Sequence, residues 1–182
     1  MELLRESESL YEKARFQPPE IKSIFSQNIF QVGGHWMKRV LRQMEAGIKQ
    51  KRNPCFEEIG YFKYGFALWA SLFVACLFFN SNPWIASFGA FFVFYAVEAQ
   101  MVFLFPLSIE GVSNPLGASL RLTRKAGGTG VVMLTVITLA VYMIFGGFFK
   151  KGLKRCWCVG CLATLVWYRQ LRVQEGINYE LS

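Results

Sequence analysis

Three cysteines stand within the stretch C-W-C-V-G-C as Cys156, Cys158 and Cys161. Cys158 and Cys161 are three apart, which puts both thiols on one face of a helix, and a C-x-x-C at a helix N-terminus is an arrangement that lowers a thiol pKa for disulfide exchange. A zinc site would need a fourth ligand, and Cys55 is expected on the opposite side of the membrane, so no metal site is assigned. Acylation beside the basic run K-K-G-L-K-R is a further use for these thiols. The plainer reading is buried, inert cysteine acting as a small hydrophobe, and it is favoured here. Cys158 and Cys161 remain the only catalytic candidates, should the pair be redox-active.

The second group that could do chemistry is Glu98, alone in F-F-V-F-Y-A-V-E-A-Q-M-V-F-L-F. The apolar residues around it supply roughly −5 kcal/mol of insertion free energy against about +3 for a central acid, so the helix can enter a membrane with its carboxyl group. A partner for that group is expected nonetheless. Thr135, Thr138 and Tyr142 form a polar stripe on a later helix, and Arg121, Arg124 and Lys125 leave the membrane on the side nearer Glu98, so these six are the expected partners. An intramembrane acid is a candidate proton or ligand site. With no second acid or histidine in the membrane to work beside it, a structural contact is the favoured role.

The chain has no aspartate and a single histidine, His35. Ser-His-Asp catalysis, aspartate-rich magnesium sites and histidine-based metal sites are thereby excluded, and His35 reads as a surface imidazole at a helix start. No cofactor is implied by what is left.

The C-x-x-C at the start of a fourth membrane helix is similar to that of the quinone-coupled thiol oxidoreductases of the vitamin K epoxide reductase type, which would imply a membrane thiol oxidoreductase. That family also needs a second pair of cysteines in the first outer loop, where this chain has Asn80-Ser81-Asn82-Pro83 with Cys76 as the only nearby thiol.

The elements that position these groups follow from hydropathy. Of the 182 residues 53% are hydrophobic and 18% charged, fewer charges than the quarter or so of a soluble domain, and mean hydropathy is +0.29. The expected fold is all-α: a polar N-terminal extension over 1–59, a membrane domain over 60–168 with four spans in two hairpins at about 60–79, 84–105, 130–149 and 154–170, and a tail over 169–182. Within the extension, helices are expected at 3–16, from Glu20 to Gly33-Gly34, and from His35 onward, with Pro18-Pro19 and the glycine pair as breaks. The last of these is basic and amphipathic: Trp36, Val40, Met44 and Ile48 recur every four residues, with Lys38, Arg39 and Arg42 on other faces. It should lie in the membrane interface or pack on its neighbours. Residues 106–129 are expected as a loop.

Net charge is +8, and the basic residues flank the apolar runs, as topology signals and contacts to anionic headgroups do. Nucleic acid is not an expected partner. Counted from Lys38 onward, twelve Lys and Arg fall inside and four outside when the N-terminus and C-terminus are both cytoplasmic, and the membrane is expected to be a bacterial inner one. No signal peptide is visible in Met1 to Glu8. The expected function is a non-enzymatic accessory, scaffold or assembly subunit, bound to another membrane protein or to copies of itself. A thiol oxidoreductase and a proton-linked carrier centred on Glu98 are the alternatives.

Overall fold

The computed structural model describes residues 2–13, 29–44, 54–80, 82–146 and 152–175, and these are helical with no strand among them. The N-terminal helix α1 spans Glu2–Lys13 and α2 spans Ile29–Met44. Two long apolar helices follow, α3 (Phe56–Phe79) and α4 (Pro83–Gln100). Short helices α5 (Leu104–Glu110) and α6 (Pro115–Lys125) lead to α7 (Gly128–Phe145) and α8 (Leu153–Glu175). Residues 20–28 of the helix expected from Glu20, the positions Ala14 and Ile48, and the basic pair Lys150-Lys151 lie outside the described residues.

Among the described residues, three helical runs are long and apolar enough to cross a membrane: Phe56–Phe79, the stretch Pro83–Glu110, and Gly128–Phe145. The chain is therefore an all-α integral membrane protein. The fourth expected span is part of α8, a helix of 23 residues. It reaches beyond its apolar run into Lys154 and Arg155 at one end and Arg169 and Arg172 at the other, and it is not among the three.

Two expectations about local structure are corrected. Gly33-Gly34 does not break a helix: α2 runs straight through it. The glycines are kept because neighbours press against them. A Cβ on Gly34 would overlap the ring of Phe56, and one on Gly33 would meet Trp157 at 3.2 Å. Phe30 of α2 in turn lies over Gly60 of α3, so the crossing of α2 and α3 is held by a ring over a glycine in each direction.

The second correction concerns 106–129, which is not a loop. Pro106 falls in the first turn of α5, where its missing N–H is unneeded. Asn114 caps α6 by accepting a 2.9 Å hydrogen bond from the Gly117 N–H, with Pro115 at the first helical position. Asn82 does the same for α4, accepting from the N–H groups of Trp84 and Ile85, with Pro83 behind it.

The core sits at one end of the molecule. One buried cluster joins Trp36, Val40 and Leu41 of α2, Phe56, Ile109 of α5 and Cys158, Leu162, Leu165 and Val166 of α8, with Leu3, Leu10 and Tyr11 of α1 against it. The other joins Ala99, Phe103, Leu107, Ala118, Leu122, Val132, Tyr168 and Leu171. Neither draws on residues 57–98. The basic helix thus turns its apolar stripe into the protein: Trp36, Val40 and Lys38 are buried while Arg39 and Arg42 remain exposed. Of the two placements expected for this stripe, membrane interface or packing on neighbours, the burial of Trp36 and Val40 favours packing, with the start of α3, α5 and α8 against α2.

Beyond this base, α3 and α4 stand clear as a hairpin. Trp69, Leu72, Phe79, Trp84 and Phe88 are each more than 60% exposed, a surface that only lipid or another protein can cover. Ser71 Oγ donates to the Ala90 carbonyl at 2.7 Å, and Gly89 lets the helices approach beside Val74.

Candidate functional site

Phe56, Gly60, Lys63 and Ala67 form the buried face of α3, a spacing of three to four residues that is one side of a helix. Lys63 therefore points at α4. The turn at Asn80–Asn82 fixes the register: Lys63 lies 17 residues before Asn80 and Glu98 lies 16 after Asn82, so antiparallel pairing brings them to the same height. Lys63 Nζ stands 2.9 Å from Glu98 Oε2, the two side chains 7% and 8% exposed. The ammonium is also 5.0 Å from the ring centroid of Tyr64 and 5.9 Å from that of Phe105, within cation–π range. Glu98 Oε1 has no hydrogen-bond partner among the described residues.

Glu98 is thus paired, but not with the expected partners. Thr135 and Thr138 donate to the carbonyls of Val131 and Leu134 on their own helix, as hydroxyls in mid-helix do when nothing else is close. Tyr142 donates to Glu8 Oε1 at 2.6 Å, and Arg121, Arg124 and Lys125 are exposed. Lys63, one of the basic residues that flank the apolar runs, is the partner that the sequence did not reveal.

The ion pair borders a partly open cavity of about 490 Å³ lined by α2, α3, α4, α7 and α8, with Phe105 of α5. Its walls are mostly aromatic and aliphatic, with Tyr64, Phe94, Leu139, Met143, Trp157 and Cys161 among them.

The end of α4 is a second polar assembly that the sequence did not reveal. Its last carbonyls lack partners within the helix. Ser119 and Thr123, four apart on α6 and fully buried, donate to the carbonyls of Gln100 and Ala99 at 2.7 and 3.0 Å, and the Gln100 amide donates to Thr129. Arg172 Nη1 reaches Glu110 Oε1 at 2.6 Å and ties α8 to α5.

Cys156 and Cys158 are fully buried, and Cys161 is half-buried. Burial pushes the Cys158 thiol up to about 11 and the Cys161 thiol up to about 12, the opposite of what disulfide exchange needs, and Lys154 and Lys63 lower them too little to reverse it. No cluster of three or more His, Cys, Asp or Glu that could hold a metal occurs among the described residues. His35 is exposed and lies edge-on to Phe56, 5.4 Å between ring centroids.

Geometry and composition together define a class: an all-α membrane protein with a buried Lys–Glu pair beside an apolar cavity. Comparison with protein-family models, curated proteins and solved structures found no match.

Proposed function

We propose that the protein is a non-enzymatic accessory or assembly subunit of a larger membrane complex, anchored and docked through the α3–α4 hairpin. The observation that supports this most is an aromatic ladder on α3. Phe62, Phe66, Trp69 and Phe73 stack in succession, with centroids 6.3, 6.3 and 5.8 Å apart, and they are 44–64% exposed. Rings that hold one another in place lose little freedom on contact, and aromatic residues, Trp above all, are the usual anchors of an interface. A helix of another subunit, or of a second copy of this chain, suits that face.

In this reading the hairpin crosses a bacterial inner membrane with both termini cytoplasmic, and basic residues of the base meet anionic headgroups. In place of four crossings it has two. The support is the course of α1, whose exposed Glu6 and Glu12 reach Gln170 and Arg155 of α8, while Glu8 takes the hydroxyl of Tyr142 near the end of α7. Exposed carboxylates belong in water. Their contacts therefore favour an α7–α8 pair lying with the base at the cytoplasmic surface, the exposed Leu134, Val141, Ile144 and Phe145 resting on the bilayer.

Site-specific photo-crosslinking in native membranes tests the docking claim. Benzoylphenylalanine at Phe66 or Trp69 should give a discrete protein adduct, and the same group at Phe88 or Leu134 should give none. Adducts equal at all four positions, or lipid adducts alone, would refute it.

A further inference from the structure

In the Lys63–Glu98 pair, Glu98 Oε1 has no hydrogen-bond partner among the described residues, and both residues line an apolar cavity. We propose that the cavity beside them binds a neutral lipid made of one apolar chain and a hydroxyl head, such as a long-chain alcohol. The inference does not depend on the docking reading, which concerns the far side of α3.

Size and walls point to a small apolar ligand. About 490 Å³ falls within the range of roughly 300 to 1,000 Å³ usual for small-molecule sites, and such sites are apolar with a few polar groups that fix orientation. Here the polar groups are gathered at the ion pair, and Phe94, Leu139, Met143 and Trp157 are available to a chain. The cavity lies against all three runs apolar enough to cross the membrane, so the ligand's source is the bilayer.

The ion pair sets the chemistry of the head. Glu98 is 6% exposed, yet Oε1 accepts no hydrogen bond among the described residues, and a buried acceptor without a donor is costly. The occupant must therefore bring a donor. A cationic head would bring one but would stand next to the Lys63 ammonium, and an anionic head would face the Glu98 carboxylate. A hydroxyl avoids both conflicts. It can donate to Oε1 and accept from Nζ, which has N–H groups to spare beyond its contact with Oε2. A water molecule could satisfy Oε1 alone, but it would leave the apolar walls uncovered.

The test uses the full-length protein in phosphatidylcholine nanodiscs and three diazirine-bearing hexadecyl probes that differ only in the head: alcohol, carboxylate or primary ammonium. The alcohol should label about tenfold more than either ion, the discrimination expected of one hydrogen bond to a charged group. Its adducts should map to residues 136–144 of α7 and 157–164 of α8. Ala140→Phe, which places a ring in the cavity and leaves the ion pair untouched, should abolish labelling at an unchanged melting temperature. Glu98→Gln should remove the preference for the alcohol; if that variant does not fold, Ala140→Phe carries the test alone. Equal labelling by all three heads, a preference for either ion, or labelling indifferent to Ala140→Phe would overturn the proposal and leave an ordinary bilayer chain resting against the protein.

Discussion

Taking a lysine and a glutamate out of water costs several kcal/mol per ion, and the 2.9 Å contact of Lys63 with Glu98 offsets that cost only while both are present. Lys63→Met or Glu98→Leu alone should therefore lower stability by about 3–5 kcal/mol, while the double variant should recover most of the loss. Thermal unfolding in a mild detergent reads both. The need for a partner was legible in the sequence, because the insertion arithmetic leaves a lone carboxylate poorly served. Its identity was not legible, since Lys63 stands near the polar end of an apolar run, where topology charges also stand. Thr135 and Thr138 misled for a different reason: a hydroxyl in a helix can always turn to its own backbone. The thiols carry a pH signature. The Cys158 value is 9.0 in the unfolded chain and about 11 when folded, so the folded state resists losing the proton. Its contribution is complete below pH 9 and falls by about 1.4 kcal/mol per unit as pH rises from there toward 11. Cys158→Ala should flatten that part of a melting-temperature profile.

At the level of elements, glycines decide where helices may touch. Gly34→Ala and Gly60→Ala each drive a Cβ into a phenylalanine ring and should cost about 1–3 kcal/mol. Gly65→Ala, with nothing within 4 Å of the new atom, should instead stabilise α3 by about 0.5–1 kcal/mol. Equal effects at the three positions in the same unfolding assay would mean that α2 does not cross α3 there. The same contacts explain why the glycine pair was read as a helix break. Propensity favours a stop, whereas the rings of Phe56 and Trp157 reward a smooth groove, and only the folded chain reveals the rings. The long apolar helices were legible from composition alone, and the turn between α3 and α4 from Asn80-Ser81-Asn82-Pro83. Helices α5 and α6 were missed although Asn114-Pro115 is a cap followed by a first-turn proline, because the same dipeptide also marks turns.

For the whole molecule, hydropathy told how many segments are apolar and not which of them lie side by side. Segment 156–168 is as apolar as a short span, yet it forms the middle of the base, with α1 along one side and α2 on another. Nothing in its own residues records that cover, since α1 lies more than a hundred residues away in the chain. The proposed arrangement depends on one placement: the tip of α3–α4 on the outer side of the membrane, with the start of α8 on the inner side together with α6. A membrane-impermeant maleimide reads it in intact cells, using Asn80→Cys, Ser113→Cys and Leu153→Cys one at a time, with the exposed Cys55 and Cys76 replaced by serine. We predict that position 80 reacts from outside, and that 113 and 153 react only after the membrane is opened. Reaction of position 153 from outside would contradict the account and place α7 and α8 across the membrane as a second hairpin.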